Sequence, residues 1–385
     1  MPKCPNNKRP SCPIDKLPPE LAISVFSYLH RRQLVQCLAV CKTWKDILSS
    51  NSLLWPSSVV VEQIYEMFYD VDGISRVNIN DLTSWCQSVS RLPGNIRSFD
   101  LKVVHGENAG FSFFFSSFTL LQSLSLMFVE MSVEDLSLVL ENCPDLRVLR
   151  VESYPRLSFG DQTIVVSRPT VLEELCLEFY DAHLLISSLV SRSPNLVSLK
   201  CNRTRATDQL TVHFGDSLQL LDLYVGQQLP RINCSTLRAL RLWTTNITAF
   251  GQPVDLSSVR CFMIASINAL QQDAITLMRF YNIGRNLTCL IIKMVDVPSS
   301  IEWDDVFDMI PKLKSLTIVW RRRHVANAVL AEHVISQTQH LRESRGVEVI
   351  ARGFLSYHRQ FAGKTCSICH EIHQDLVEGL DEEPS

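Results

Sequence analysis

The chain has 385 residues, 46% of them hydrophobic, and a formal net charge of −3. That length suits two or three ordinary domains, or one small module joined to an elongated array, with ample apolar content for a core. The near-neutral charge gives no global pull toward nucleic acid or an anionic membrane surface, and neither is expected as a partner.

The start, MPKCPNNKRPSC, lacks the apolar run of a secretory signal, and the thirteen cysteines are odd in number and scattered. They read as thiols of a reducing compartment, cytoplasm or nucleus. The Asn-x-Ser/Thr triplets at Asn202, Asn233, Asn246 and Asn286 then carry no glycosylation message. Residues 1–13 are expected to be a disordered lead.

Three short helices are predicted between Ile14 and Trp55. Leu17-Pro18-Pro19-Glu20 opens the first, with proline where the helical N–H has no partner and an acid in the positive first turn. Leu21, Val25, Tyr28 and Leu29 recur at i, i+4, i+7 and i+8, widened by Ala22 and Phe26. A second helix runs from about Arg32 through Leu34, Val35 and Leu38, and a third carries Val40, Cys41, Trp44, Ile47 and Leu48. So much apolar surface on about forty residues exceeds what so small a unit can bury alone, so the rest must face a partner or the remaining chain.

Leu-Pro-x-Glu-Leu, then Val25-Phe26-Ser27-Tyr28-Leu29, Val40-Cys41-x-x-Trp44 and the closing Leu54-Trp55 resemble an F-box, over about a tenth of the chain. In that family the three helices dock on the Skp adaptor of a cullin-based ubiquitin ligase, which also holds a RING subunit. The resemblance implies adaptor contacts through Leu17, Pro18, Glu20, Leu21, Val25, Phe26, Leu29, Val40, Cys41 and Trp44.

Past Trp55 lie a β-rich patch, Ser58 to Val61, and a helix over Leu82, Trp85, Cys86 and Val89 that Asn80-Asp81 could cap. Residues 57–95 are therefore assigned as linker and N-terminal cap. Gly110 to Val129 is uncharged and long enough to span a bilayer. Its serines, threonine and glutamine, and a repeat register in its second half, speak against a span.

That register is Leu-x-x-Leu-x-Leu, with other apolar residues admitted at each place. It recurs from Ile96, Leu121, Leu146, Leu172, Leu196, Leu218, Leu237, Val259, Leu287 and Leu313, at intervals of 25, 25, 26, 24, 22, 19, 22, 28 and 26 residues. These are leucine-rich-repeat intervals, and residues 96–320 are expected to hold about ten repeats. Each x-Leu-x-Leu-x forms a short parallel strand, leucines inward and x residues on the concave face. Helical spacing precedes Pro144 and Pro311, and Cys143-Pro144-x-Leu146, Ser193-Pro194-x-Leu196 and Ile310-Pro311-x-Leu313 share a form in which proline ends the return segment. This resembles the cysteine-containing repeats that accompany F-boxes, with Cys143 supplying the cysteine. The short intervals of 22, 19 and 22 leave little room for a helix, so extended or 3₁₀ return segments are expected there.

A solenoid must hide its ends. Residues 321–364, with eight Lys/Arg against three Glu, form the expected basic C-terminal cap: an amphipathic helix over Val325 to Leu341 and a possible last strand at Val347 to Ile350. Residues 365–385 are an acidic tail bearing Cys366, Cys369, His370 and His373. Those four could make a tetrahedral zinc site, but a single Cys pair and closely spaced His residues depart from the usual finger layout, so no metal or other cofactor is assigned. Arg321-Arg322-Arg323 reads as a solvated strand edge. No phosphate-binding glycine loop, Gly-x-Ser-x-Gly or His-Glu-x-x-His is present, and no catalytic residue is assigned.

The concave face is the expected substrate surface. One column reads Met127, Glu152, Glu178, Asn202, Tyr224, Trp243, Ala265, Lys293; its neighbour reads Ser125, Arg150, Cys176, Lys200, Asp222, Arg241, Met263, Ile291. Arg150, Glu152, Glu178, Lys200, Asn202, Asp222, Tyr224, Arg241, Trp243 and Lys293 are the candidate contacts. Tyr224, Trp243 and Arg241 would be exposed neighbours of the types that dominate protein–protein hot spots. The alternative is that these side chains pack under a loop or the terminal segment.

The expected architecture is α/β: a three-helix F-box (14–56) followed by a curved leucine-rich-repeat solenoid with a parallel sheet on its concave face. The expected function is substrate recognition in an SCF-type ubiquitin ligase, as a non-catalytic adaptor holding a substrate protein. The other reading is a protein-binding scaffold outside any ligase, its helices only capping the solenoid.

Overall fold

Proline sets where the first helix begins. Pro18 is the N-cap, with extended backbone, and Pro19 sits at the first helical position of α1 (Pro19–Ser27), with Glu20 in the first turn. α2 (Arg31–Cys37) and α3 (Lys42–Ser50) follow. The third helix starts later than its apolar spacing suggested. Val40 lies in a turn, and Cys41 is the N-cap, its Sγ accepting a 3.4 Å hydrogen bond from the Trp44 N–H. The structure, a computed structural model, describes residues 17–29, 31–37, 39–51, 58–61, 96–102, 118–127, 132–152, 163–178, 183–201, 215–225, 232, 234–244, 255–266, 278–279, 281–294, 307–321, 336, 339, 343 and 346–354.

The described residues after the helices are organised on one sheet of twelve strands, β1 to β12, in sequence order. Its strands are β1 (Ser58–Val61), β2 (Ser98–Lys102), β3 (Ser123–Met127), β4 (Val148–Glu152), β5 (Glu174–Glu178) and β6 (Ser198–Cys201). They continue as β7 (Leu220–Val225), β8 (Ala239–Thr244), β9 (Cys261–Ser266), β10 (Cys289–Met294), β11 (Ser315–Arg321) and β12 (Glu348–Phe354). Every pairing is parallel. In all ten Leu-x-x-Leu-x-Leu matches the second and third apolar residues lie on a strand, β2 to β11, and the first just before it. The patch at Ser58 pairs with β2, and the terminal Val347 segment supplies β12, so the sheet exceeds the repeat count at both ends.

Strand register follows the leucines. Leu124, Leu149, Leu175, Leu199, Leu221 and Leu240 are successive register partners, each fully buried. One apolar cluster runs from Ala22, Phe26, Leu34 and Leu48 through this row to Val347. Most repeats enter their strands the same way. A turn closes onto the first leucine, as in Leu146 N to Cys143 O at 3.2 Å and Leu196 N to Ser193 O at 3.2 Å. Two consecutive N–H groups then share one carbonyl of the preceding repeat, as Arg147 and Val148 do on Gln122. Proline fits inside that turn because its missing N–H is not needed there.

Return segments vary with the length available. α4 (Val133–Asn142) lies between β3 and β4 behind a capping box in which Ser132 and Asp135 satisfy each other's backbone N–H groups. α5 (His183–Arg192) lies between β5 and β6. An extended stretch between β4 and β5 bridges the two helices: Ile164 N donates to Ser188 Oγ at 3.1 Å and Val165 N to Ser137 Oγ at 3.3 Å. No helix is assigned among the described residues of the three short intervals, whereas a 3₁₀ turn, Gly284–Asn286, precedes β10.

The uncharged stretch from Gly110 contributes β3, and no helix among the described residues is long and apolar enough to cross a membrane. The eight described cysteines are thiols rather than disulfides. The lead, the Leu82 to Val89 helix, Asn202, Arg322-Arg323, most of Val325 to Leu341 and the Cys366 to His373 cluster lie outside the described residues.

Candidate functional site: a helical apolar patch and the outward face of the sheet

Two surfaces gather the side chains singled out by the sequence. The first is on the helices. Phe26 and Trp44 meet edge to face, ring centroids 5.2 Å apart at 73°, locking α1 against α3. Phe26 is fully buried, so it belongs to the interior of this unit rather than to its contact surface. Leu17, Leu29, Cys41 and Trp44 are half-buried, while Pro18 and Glu20 are exposed. Outward from this core stand Leu21, Val25, Tyr28 and Val40, at 54, 42, 87 and 55% exposure. The first three are i, i+4, i+7 and therefore lie on one side of α1. Tyr28 was part of the apolar stripe read from sequence but not of the expected contacts, and it is the most exposed of the four.

The second surface is the outward face of the sheet. The two columns read from sequence are aligned in the register: Tyr224, Trp243, Ala265 and Lys293 are successive partners, as are Lys200, Asp222, Arg241, Met263 and Ile291. Their exposure differs from the expectation. Asp222 and Arg241 are only 4% exposed, Lys293 is 7%, and Tyr224 and Trp243 are half-buried. Leu220, Ala239, Cys261, Met263, Cys289 and Ile291 form an apolar cluster on the same face, with Trp243 packed against it. From β7 onward this face is an interior, so Arg241 is not the exposed arginine that the sequence suggested.

Charges buried there require partners. Arg241 pairs with Asp222 at 3.7 Å, and the Trp243 indole N–H donates to Asp222 Oδ1 at 2.7 Å. Lys293 Nζ lies 4.5 Å from the centre of the Trp243 ring. Burial raises the Asp222 pKa, with Arg241, Lys200, the Trp243 bond and Lys293 pulling it back. Burial also pushes the Lys293 ammonium down to about 8, against the attraction of Asp222.

Toward β4 the face is different. Arg150 donates through Nε and a terminal nitrogen to Glu174 at 3.0 and 3.2 Å, and Lys200 Nζ donates to the same carboxylate at 3.3 Å. Glu174 is buried, while the Arg150 side chain remains 46% exposed. Glu152 is half-buried and Glu178 buried. Sequence reasoning missed Glu174 because only two columns were followed. Alternation with period two places residues 174, 176 and 178 on one face, so the glutamate immediately before Leu175 could have been included.

Residues 14–59 match the F-box-like family. Over 313 residues the chain is 25% identical to an F-box/LRR-repeat protein of Arabidopsis thaliana, covering 64% of this chain and 74% of that relative. The chain thus carries an F-box-like segment and, over much of its length, is similar to an F-box/LRR-repeat protein. The chain is also 50% identical over 70 residues to F-box/WD repeat-containing protein 8 of Mus musculus, and 33% identical over 70 residues to its Homo sapiens counterpart. Each of those matches takes in 18% of this chain and spans only 10% of the relative.

Proposed function

We propose that this chain is the substrate-recognition subunit of an SCF-type ubiquitin ligase. In this reading α1 to α3 are the three-helix F-box that docks on the Skp adaptor, which joins it to cullin and the RING subunit. The solenoid, curved with its sheet concave, holds a substrate protein. The chain makes and breaks no bond itself. It raises the effective concentration of substrate lysines near a ubiquitin-charged enzyme across a rigid spacer. The accompanying division is 14–56 for the F-box, 57–95 for linker and cap, 96–320 for the repeats, 321–364 for the basic cap and 365–385 for the tail, in the cytoplasm or nucleus.

The observation that supports this most is the exposed row Leu21, Val25, Tyr28 and Val40 on a segment matching the F-box-like family. Side chains of this kind, clustered and open while Phe26 and Trp44 hold the helices together, suit a protein partner. A capping role alone is the second reading, favoured by the continuity of the apolar cluster from Ala22 and Phe26 into the sheet. Capture of purified Skp adaptor by the full chain separates the two. Wild type is expected to bind and Val25→Glu to lose binding while staying folded. Absence of binding by wild type, or full retention by Val25→Glu, would overturn the receptor reading.

A further inference from the structure

The outward face of β7 to β10 is closed along the whole length of its strands. Leu220, Ala239, Cys261 and Cys289 are buried, and each is the first residue of its strand. Asp222, Arg241, Met263 and Ile291 in the next row are buried too. Among the described residues, the apolar cluster here draws on these strands themselves, with Val197 and Trp243 at its margin, and on no element laid over them. Parallel sheets are covered on both faces, so a further segment of the chain belongs on this one.

Length narrows the choice. From the exit of a strand back to its first residue is about 17 Å. An out-and-back path, plus about 10 Å down to the leucine side, takes about thirteen fully extended residues with none spent on turning. The stretches 226–231, 245–254, 267–277 and 295–306 are shorter than that. The stretch 202–214 matches it but starts at β6, four strands short of β10, and 62–95 and 103–117 join β1 to β3, seven or more strands away. Residues 1–16 and 322–345 are long enough, but each carries four Lys/Arg, against one and two acids. Among the described side chains of β7 to β11, one buried acid, Asp222, already faces two buried bases, Arg241 and Lys293. That face disfavours a basic cover.

The stretch after Phe354 differs on both counts. It offers 31 residues from β12, three strands from β9, ample even for a crossing and return. Within it, Asp375-Leu376-Val377-Glu378-Gly379-Leu380-Asp381 combines three aliphatic side chains for the apolar cluster with three carboxylates for the basic side. Seven extended residues span about 24 Å, the five strand spacings from β11 to β6. Thr317 Oγ1 and Ser198 Oγ lie on those two strands, fully buried and with no hydrogen-bond partner among the described residues. A backbone crossing the sheet brings carbonyl oxygens that hydroxyls at both places can donate to.

We infer that residues 375–381 lie across the outward face of β6 to β11 as an intramolecular ligand, which a partner must displace to reach Trp243 and Lys293. This holds whether or not the receptor reading does.

The test uses the full chain and the variant Asp375→Lys/Glu378→Lys/Asp381→Lys. Cys261 and Cys289 lie on the covered face and Cys201 in the leucine core. Alkylation of Cys261 and Cys289 by iodoacetamide, read by mass spectrometry, is expected to speed up about tenfold in the variant, with Cys201 unchanged. Equal rates at Cys261 and Cys289 in the two chains would overturn the inference. Where Cys201 speeds up in step, opening is global, and hydrogen exchange of wild type decides. Amides 376–381 slowed at least about tenfold against a synthetic peptide of residues 371–385 support the docked segment, and exchange at the peptide's rate refutes it. Adaptor capture by the same chains bears on the receptor reading alone.

Discussion

The Trp243 indole N–H donates to the Asp222 carboxylate across neighbouring strands at 2.7 Å, joining the β8 aromatic to a charge that is itself almost fully buried. Arg241, beside Trp243 on β8, approaches the same carboxylate from its own register position. A buried carboxylate with these two neighbours is a stabilised unit whose parts do not contribute independently.

Removing one member should therefore cost more than removing both. Arg241→Leu is predicted to destabilise the chain by about 3 kcal/mol, because it leaves the buried Asp222 carboxyl without its register-paired guanidinium. The double variant Arg241→Leu/Asp222→Leu should recover most of that loss. Urea unfolding of the two variants and wild type checks both statements, and additive losses would refute the coupling.

Lys293 predicts a pH dependence of definite sign. Its pKa is lowered from the ordinary 10.5 to about 8. Between those values the unfolded chain holds a proton that the native chain has released, so this group's contribution to stability rises with pH. Buried thiols act the other way. Cys143 and Cys176 are both raised to about 12 by burial, so their contribution falls as unfolded thiols ionise. The lysine effect is therefore isolated by subtraction: between pH 8 and 10, wild type should gain stability relative to Lys293→Met in paired urea titrations. An unchanged difference across that range would contradict the assignment.

On the helices, stability and adaptor capture should separate. Phe26→Ala removes a fully buried ring from its contact with Trp44 and is expected to cost about 3 kcal/mol in urea unfolding. Leu21→Glu changes a side chain that is mostly in water and should shift stability by no more than about 0.5 kcal/mol. Only the second should abolish adaptor capture with the fold intact.

Gly284 is fixed by a close backbone approach. A Cβ there would run into the Met309 carbonyl oxygen, which belongs to the next repeat and cannot swing away as a flexible side chain could. Gly284→Ala is predicted to cost about 2 kcal/mol, within the range for overpacking. Thermal unfolding should show it, and a neutral result would mean the repeats can slide apart at that point.

The strands and their register were legible because one rule governs both. Leucines spaced Leu-x-x-Leu-x-Leu can be buried only if each strand lies parallel to the last with its leucines aligned, and the pairs Leu199/Leu221 and Leu221/Leu240 do so. β1 and β12 escaped that rule because Ser58-Val59-Val60-Val61 and Val347-Glu348-Val349-Ile350 lack the leading leucine turn. What the pattern could not reveal was exposure. Alternation places Arg241 and Lys293 on the outward face, yet whether that face meets water depends on packing above the sheet, which no strand's own residues encode. Phe26 is the counterpart on the helices. Its place in the F-box pattern marked it as important, but only the helix packing distinguishes a residue that builds the surface from one that forms it.

The order of the sheet carries a further consequence, for how the molecule is made. Each strand's partner is its immediate predecessor in the chain, so no pairing waits for a distant segment to be synthesised. Structure can then grow from the amino end as the polypeptide emerges, each new turn adding to a finished edge. Ring closure over long stretches, the step that slows many sheet proteins, is absent from β1 to β12. Once β6 has emerged from the ribosome, the Glu174 carboxylate already has both of its cations in place.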